Sequence, residues 1–259
     1  MAREASSDFC SPAPGFILAY ASLSDCGKRK GDNEDAVGAA VCRQFGDACL
    51  LVVADGVGGT VAGEVASRLA VDVVTRQLRE ADAGSPPGEL LQGALAVANL
   101  IIYRSAMDHP EQSGMATTCT AALIHGRDIL VAHVGDCRVY LLSNGHFSQL
   151  TTDHTLAAEY ERSGIPLPPE PCALANVLTR WLGTDPDIEI DLVTGDRLQA
   201  GDLLILCSDG LNKVVTDEEI RSLAADNQPV DACRRLVDLA CERGGPDNVT
   251  VQIARLDRS

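Results

Sequence analysis

Short runs of Val, Ile and Leu recur along the chain, separated by polar or glycine-containing breaks. They are FILAYASL (16–23), CLLVVA (49–54), TAALIHG (120–126), DILVAHV (128–134), RVYLLS (138–143), DLLILCS (202–208) and VTVQIARL (249–256). Runs of this length and content predict strands. Asn144-Gly145 separates RVYLL from FSQL and is the strongest short-range hairpin signal. It predicts antiparallel pairing and not a repeating βαβ pattern.

Helical patterns fall between the strands. From Thr60, a predicted N-cap, Val61, Val65, Leu69 and Val73 recur every four residues and form one apolar stripe. Residues 88–106 repeat the pattern through Leu91, Leu95 and Ile102, with Ala94, Ala98 and Ile101 alongside. Thr216 and Glu219 have capping-box spacing. Residues 230–243 predict a further helix, with Leu236 and Ala240 inward and Gly244 as its stop. Strands and amphipathic helices with antiparallel pairing predict an α/β sandwich. SGIPLPPEPCALAN (163–176) carries four prolines, too many for a helix or central strand. It reads as a surface excursion on a single domain, and no repeat or low-complexity linker interrupts the chain.

Composition narrows the partners. The chain has 259 residues, 46% hydrophobic and 22% charged, the balance of a soluble globular protein. It contains no run of eighteen apolar residues, so no membrane span is expected. Residues 1–15 read as a loose tail without the apolar segment of a signal peptide. A formal net charge of −16 argues against nucleic acid or an anionic membrane as partner. It also means that a phosphorylated substrate is repelled unless a local cation reverses the field. The ten cysteines show no C-x-x-C spacing, which predicts reduced structural thiols in a cytoplasmic protein.

Candidate chemistry lies where the apolar runs end. CLLVVA runs into Asp55-Gly56, LILCS into Asp209-Gly210, and LVAHV into Gly135-Asp136; Asp247-Asn248 directly precedes VTVQIARL. Asp32, Glu34 and Asp35 crowd a fifth stretch. Each acid alone fits an Asp-Gly turn. Four of them abutting buried strands are costly to desolvate without a counter-charge. For Asp55, Asp209 and Asp247, oxygen-only donors without Cys/His spacing suit magnesium or manganese better than zinc. Gly195-Asp196 and Gly201-Asp202 read as ordinary turns.

Eight motifs then occur in order: D-x-G…N-E-D (25–35), A-D-G-V-G-G (54–59), G-M-A-T-T (114–118), G-D-C-R-V-Y (135–140), L-T-x-D-H-T (150–155), L-T-R-W-L-G (178–183), C-S-D-G-L (207–211) and D-N-V-T-V (247–251). Together they resemble the metal-dependent protein serine/threonine phosphatases, the PPM or type 2C family, in its bacterial form. The resemblance spans residues 16–256. It implies two packed antiparallel β-sheets flanked by α-helices, with two metal ions, Mn²⁺ or Mg²⁺, in a cleft at one end. Asp55 would bridge the ions, the Gly56 carbonyl would ligate one, and Asp209 and Asp247 would hold the first. Glu34 and Asp35 would hold metal-bound waters, and Asp136 would match the ligand of a third, weaker ion. Residues 155–177 would form a flap involved in substrate choice.

Two ions about 3.5–4 Å apart generate a nucleophile from water at neutral pH and stabilise in-line displacement. They also let an acidic protein bind a phosphate dianion. The implied partners are Ser/Thr-phosphorylated proteins and a cognate kinase, met by a monomeric enzyme.

Two positions depart from the family. Its phosphate-clamping arginine corresponds to Lys30, with Arg29 beside it, and lysine lacks the bidentate fork. Val57 stands where a proton donor is found in eukaryotic members. These departures motivate a second reading, a catalytically weak phosphoprotein-binding regulator on the same fold; a metal-dependent hydrolase of small phosphomonoesters is a third. Ser208 has no evident base and is not expected to be a nucleophile. His133 is expected as a core histidine and His154 as a shaper of the flap base.

Overall fold

The computed structural model describes residues 5–57, 61–166 and 176–259. The expected cap Thr60 and most of the proline-rich excursion, Cys172 included, lie outside the described residues. Numbered in chain order, β1 (Ser6–Cys10), β2 (Phe16–Asp25), β12 (Val249–Arg258), β11 (Leu203–Cys207), β8 (Arg138–Ser143) and β9 (His146–Gln149) form one sheet in that spatial order. The second sheet runs β10 (Asp191–Val193), β7 (Asp128–Val134), β6 (Cys119–His125), β4 (Ala48–Val57), β3 (Asp35–Cys42), and β5 (Ala116–Thr117) pairs with the end of β4. Every one of these pairings is antiparallel. Asn144 and Gly145 carry the hairpin between β8 and β9 with φ of 53° and 79°, the left-handed pair that such a two-residue turn requires.

The alternation of side chains explains the layers. On β4, Cys49, Leu51 and Val53 face the other sheet, where they meet Leu18, Val139, Leu204 and Leu206. Leu50, Val52 and Ala54 face outward onto α1 (Val61–Glu80) and α2 (Pro87–Asp108). The first sheet has the same two-sided burial. Val249, Val251 and Ile253 of β12 lie under α6 (Pro229–Glu242) and α5 (Asp217–Ala225), whereas Ala254 and Leu256 face the sandwich. A strand buried on both faces reads as a continuous apolar run. Each fully buried Leu or Val contributes about 2 kcal/mol from burial before chain entropy is subtracted.

Three findings differ from the sequence-based expectations. Residues 6–10 are not a loose tail: β1 pairs with β2 from Ser6↔Ser22 to Cys10↔Leu18. β3 was not anticipated, because DAVGAAVC is rich in Ala and Gly and poor in branched residues. Its small residues let α1 approach closely; a Cβ on Gly38 would come within 2.5 Å of Val71 Cγ1. Ahead of the prolines, residues 156–162 form a short helix, α3 (Leu156–Arg162), capped by Thr155. By length and composition, α2 is also long and apolar enough to cross a membrane. Here Leu91, Leu95, Ala98 and Ile102 bury its apolar stripe against α1 and the second sheet.

Candidate metal centre

The topology gathers the strand-end acids. In the second sheet β4 and β7 both run antiparallel to β6, so their C-terminal ends, with Asp55 and Asp136, point the same way. β3 begins at that end, and its Asp35 lies directly opposite Asp55 in register. In the first sheet β11 leaves and β12 enters there, through Cys207↔Val251. This places Asp209, at the start of the single turn α4 (Asp209–Asn212), and Asp247 against the other three. Asp55, Asp136, Asp209 and Asp247 line a cavity of about 180 Å³ with Glu34, Gly56 and Lys30. A wider cleft of about 860 Å³ shares Asp136 and Asp209 and runs past α3.

Hydrogen bonds fix the backbone that presents these acids. The Asp55 N–H donates to Thr118 Oγ1 at 2.9 Å. Its carbonyl accepts from the Thr118 N–H at 2.8 Å and from Thr117 Oγ1 at 2.9 Å. Asn248 holds the 26–34 loop: its Oδ1 accepts from the Glu34 N–H at 2.9 Å, and its Nδ2 donates to the Cys26 and Asp32 carbonyls, each at 3.0 Å. Gly56 is packed so closely that a Cβ would lie 2.4 Å from the Gly63 carbonyl oxygen and 2.8 Å from that of Glu34. Asp35 Oδ2 accepts from Ser208 Oγ at 2.7 Å and from Thr250 Oγ1 at 2.6 Å. The buried Ser208 hydroxyl is therefore committed inside the protein.

The charges are under-compensated. Like charges directly opposite on paired strands are destabilising. Burial, opposed by the Thr250 and Ser208 hydrogen bonds and reinforced by the charges of Asp209 and Asp247, pushes the Asp35 carboxyl up to about 7. Burial and then Asp209 push Asp136 up to about 7. Asp55 is raised well above the carboxylate range by burial, then by Asp35, Asp209, Asp136 and Asp247. Asp35 Oδ1 and Asp209 Oδ1 are buried without a hydrogen-bond partner. Among the described residues, no three acidic, histidine or cysteine side chains close on one point as a finished metal cage. The ammonium groups of two lysines stand among these acids instead. Lys30 Nζ is 3.1 Å from Asp247 Oδ1 and 3.9 Å from Glu34 Oε2. Lys213 is paired with Asp209 and lies 3.9 Å from Asp247 Oδ2. Orphaned carboxylate oxygens among hard donors fit a divalent cation of the magnesium or manganese type.

Lys30 lines the cavity; Arg29 is exposed and is not among the lining residues. Sequence reasoning missed Asn248, Thr117, Thr118 and Lys213. The first three lie inside quoted motifs, D-N-V-T-V and G-M-A-T-T, so their signal was motif membership; nothing in N-K-V-V marks Lys213. His154 clamps the residue before Asp136: its N–H donates to the Gly135 carbonyl at 2.8 Å and its Nδ1 accepts from the Gly135 N–H at 3.0 Å. Its Nε2 lies 3.2 Å from Asp191 Oδ2, and Arg180 holds the other Asp191 oxygen at 2.6 Å.

A helix-flanked pair of antiparallel sheets with an acidic cavity at their shared end is the architecture of the type 2C phosphatases. The chain belongs to the protein phosphatase 2C family, whose model matches residues 26–239. It is 37% identical over 244 residues to the serine/threonine protein phosphatase PstP of Mycobacterium tuberculosis, covering 92% of this chain but only 45% of that protein. It is 32% identical to the protein phosphatase PhpP of Streptococcus pneumoniae, covering 91% of this chain and 96% of the relative. Among solved structures, it is similar to the catalytic domain of PstP in complex with two manganese ions. That match has a TM-score of 0.81 at 35% identity, over 93% of this chain and 99% of the other.

Proposed function

We propose that this chain is a metal-dependent phosphoprotein phosphatase that hydrolyses phosphoserine and phosphothreonine and opposes a serine/threonine kinase. The observation that carries the reading is the in-register pair Asp35 and Asp55, surrounded by Asp136, Asp209 and Asp247 and short of positive charge. Asp55, the Gly56 carbonyl, Asp209 and Asp247 would hold the ions, and the manganese in the PstP structure supports that metal. Bound divalent ions supply Lewis-acid charge and lower the pKa of water.

The chain's own residues do the rest. Thr117 and Thr118 fix the Asp55 backbone, and Asn248 sets the loop that carries Lys30. Lys30, at the rim, is the point charge placed to meet a phosphate. Asp35 ties β3 to the start of α4 through Ser208. Val57 lines the cavity and has no proton to give, so leaving-group protonation falls to water.

The test is hydrolysis of p-nitrophenyl phosphate and a phosphothreonine peptide with Mn²⁺, Mg²⁺ or EDTA, beside Asp209→Ala. Turnover should require metal and fall by about a hundredfold or more in the variant, the scale of losing a catalytic charge-stabilising group. Turnover that survives EDTA or the substitution would sink the proposal.

A further inference from the structure

Asp136 sits outside the strand ladders. Residues 135–137 join β7 to β8 and belong to neither strand, so strand pairing does not set where its carboxylate is presented. The backbone at Gly135 does. Gly135 has a φ of 114°, in the region that favours glycine, and a Cβ there would lie 2.4 Å from Thr118 Cβ. Both peptide groups flanking the Gly135 Cα are held by one residue. The Gly135 N–H donates to His154 Nδ1, and the Gly135 carbonyl accepts from the His154 N–H. Together these bonds pin the two dihedrals that place Asp136. Any residue at 154 supplies the backbone bond; the other needs a side-chain acceptor at the position of Nδ1.

The imidazole is itself held in one state. An amide N–H only donates, so Nδ1 is the bare nitrogen and Nε2 carries the proton. That proton faces Asp191 Oδ2 at 3.2 Å, and Arg180 Nη1 fixes Asp191 by donating to Oδ1 at 2.6 Å. The His133 ring lies against it with centroids 4.7 Å apart. The Thr179 N–H donates to the His154 carbonyl at 2.8 Å and anchors its backbone.

We infer that His154 is a positioning residue for Asp136: through Gly135 it aims that carboxylate into the centre, and Asp191 with Arg180 keeps Nδ1 free to do so. This rests on the metal-centred reading above and concerns the weaker ion that Asp136 would hold.

The experiment is a Mn²⁺ titration of the whole chain by calorimetry, comparing wild type, Asp136→Asn, His154→Gln and His154→Asn. Asp136→Asn should abolish the weakest Mn²⁺ phase of wild type. His154→Gln should weaken that same phase by about tenfold or more, the scale on which residues behind a metal ligand act, and leave tighter phases unchanged. His154→Asn, whose Oδ1 stands where Nδ1 does, should hold it close to wild type. In the Asp136→Asn background, His154→Gln should change nothing further. Should His154→Gln fail to fold, Asp191→Ala serves instead. That side chain is 35% exposed, and its loss frees the tautomer and should weaken the same phase. Equal losses in His154→Gln and His154→Asn, a loss spread over every phase, a further loss on top of Asp136→Asn, or no effect of Asp136→Asn would each overturn the inference while leaving the metal centre standing. No Mn²⁺ uptake by wild type would overturn the metal centre, and this inference with it.

Discussion

At the scale of single residues, His133 shows how burial sets a protonation state. Its Nε2 faces the Thr152 carbonyl at 3.1 Å, an acceptor only, so that nitrogen carries the proton. Its Nδ1 then accepts from Thr120 Oγ1 at 2.8 Å. Burial, and after it the neighbouring His154, push its pKa down to about 4. The unfolded chain takes a proton near pH 6.5 and the native state does not. The contribution is therefore complete above pH 6.5 and is lost as pH falls towards 4, by up to about 3 kcal/mol. Urea unfolding at pH 7.5 and pH 5 should show the stability gap between wild type and His133→Gln narrowing at the lower pH. A gap that ignores pH would refute this account. His133 was legible from sequence as a core histidine; its tautomer was not, because Thr152 lies in a different segment.

Single elements were legible in proportion to how completely they are buried. β4, β6 and β11 declare themselves because both faces are covered, leaving no exposed position to break the apolar run. β1 was hidden because Ser6 to Phe9 are exposed, and an edge strand held by backbone bonds needs no apolar pattern. The capping box of α5 was legible and is complete: the Thr216 N–H donates to Glu219 Oε2 at 3.0 Å, and Thr216 Oγ1 accepts from the Glu219 N–H at 3.4 Å. Arg243, just past α6, joins the same Glu219 and the Val214 carbonyl, linking the two helices. Thr216→Ala should cost about 1 kcal/mol, read as a lower urea midpoint with an unchanged slope. No shift would mean that the Arg243 contacts alone hold the end of α5. The strand-end acids of the centre were legible as motifs. The lysines among them were not, since their pairing depends on turn geometry and on a partner up to 217 positions away, as in Lys30 and Asp247.

At the scale of the whole molecule, the centre makes stability depend on metal and pH together. Asp35 and Asp136 have native pKa values of about 7 against an ordinary 3.8. Groups shifted in that direction favour the native state below about pH 4 and lose that contribution as pH rises through 7. Metal-free protein therefore carries its largest charge penalty above pH 7, where a bound cation relieves it most. The gain in Tm from Mn²⁺ over EDTA should be larger at pH 8 than at pH 5.5, by thermal denaturation in matched buffers. Equal gains would show that these carboxylates do not feel the metal. The order of the strands has a consequence of another kind, in the timing of synthesis. β12 lies in the middle of its sheet, pairing with β2 along ten residues on one side and with β11 on the other. On the ribosome, β2 must wait through more than two hundred residues for its neighbour. The second sheet, whose strands are all complete by Val193, can form with Asp35, Asp55 and Asp136 at its end while the first still stands open, and Asp209 and Asp247 join them only when the last strand arrives.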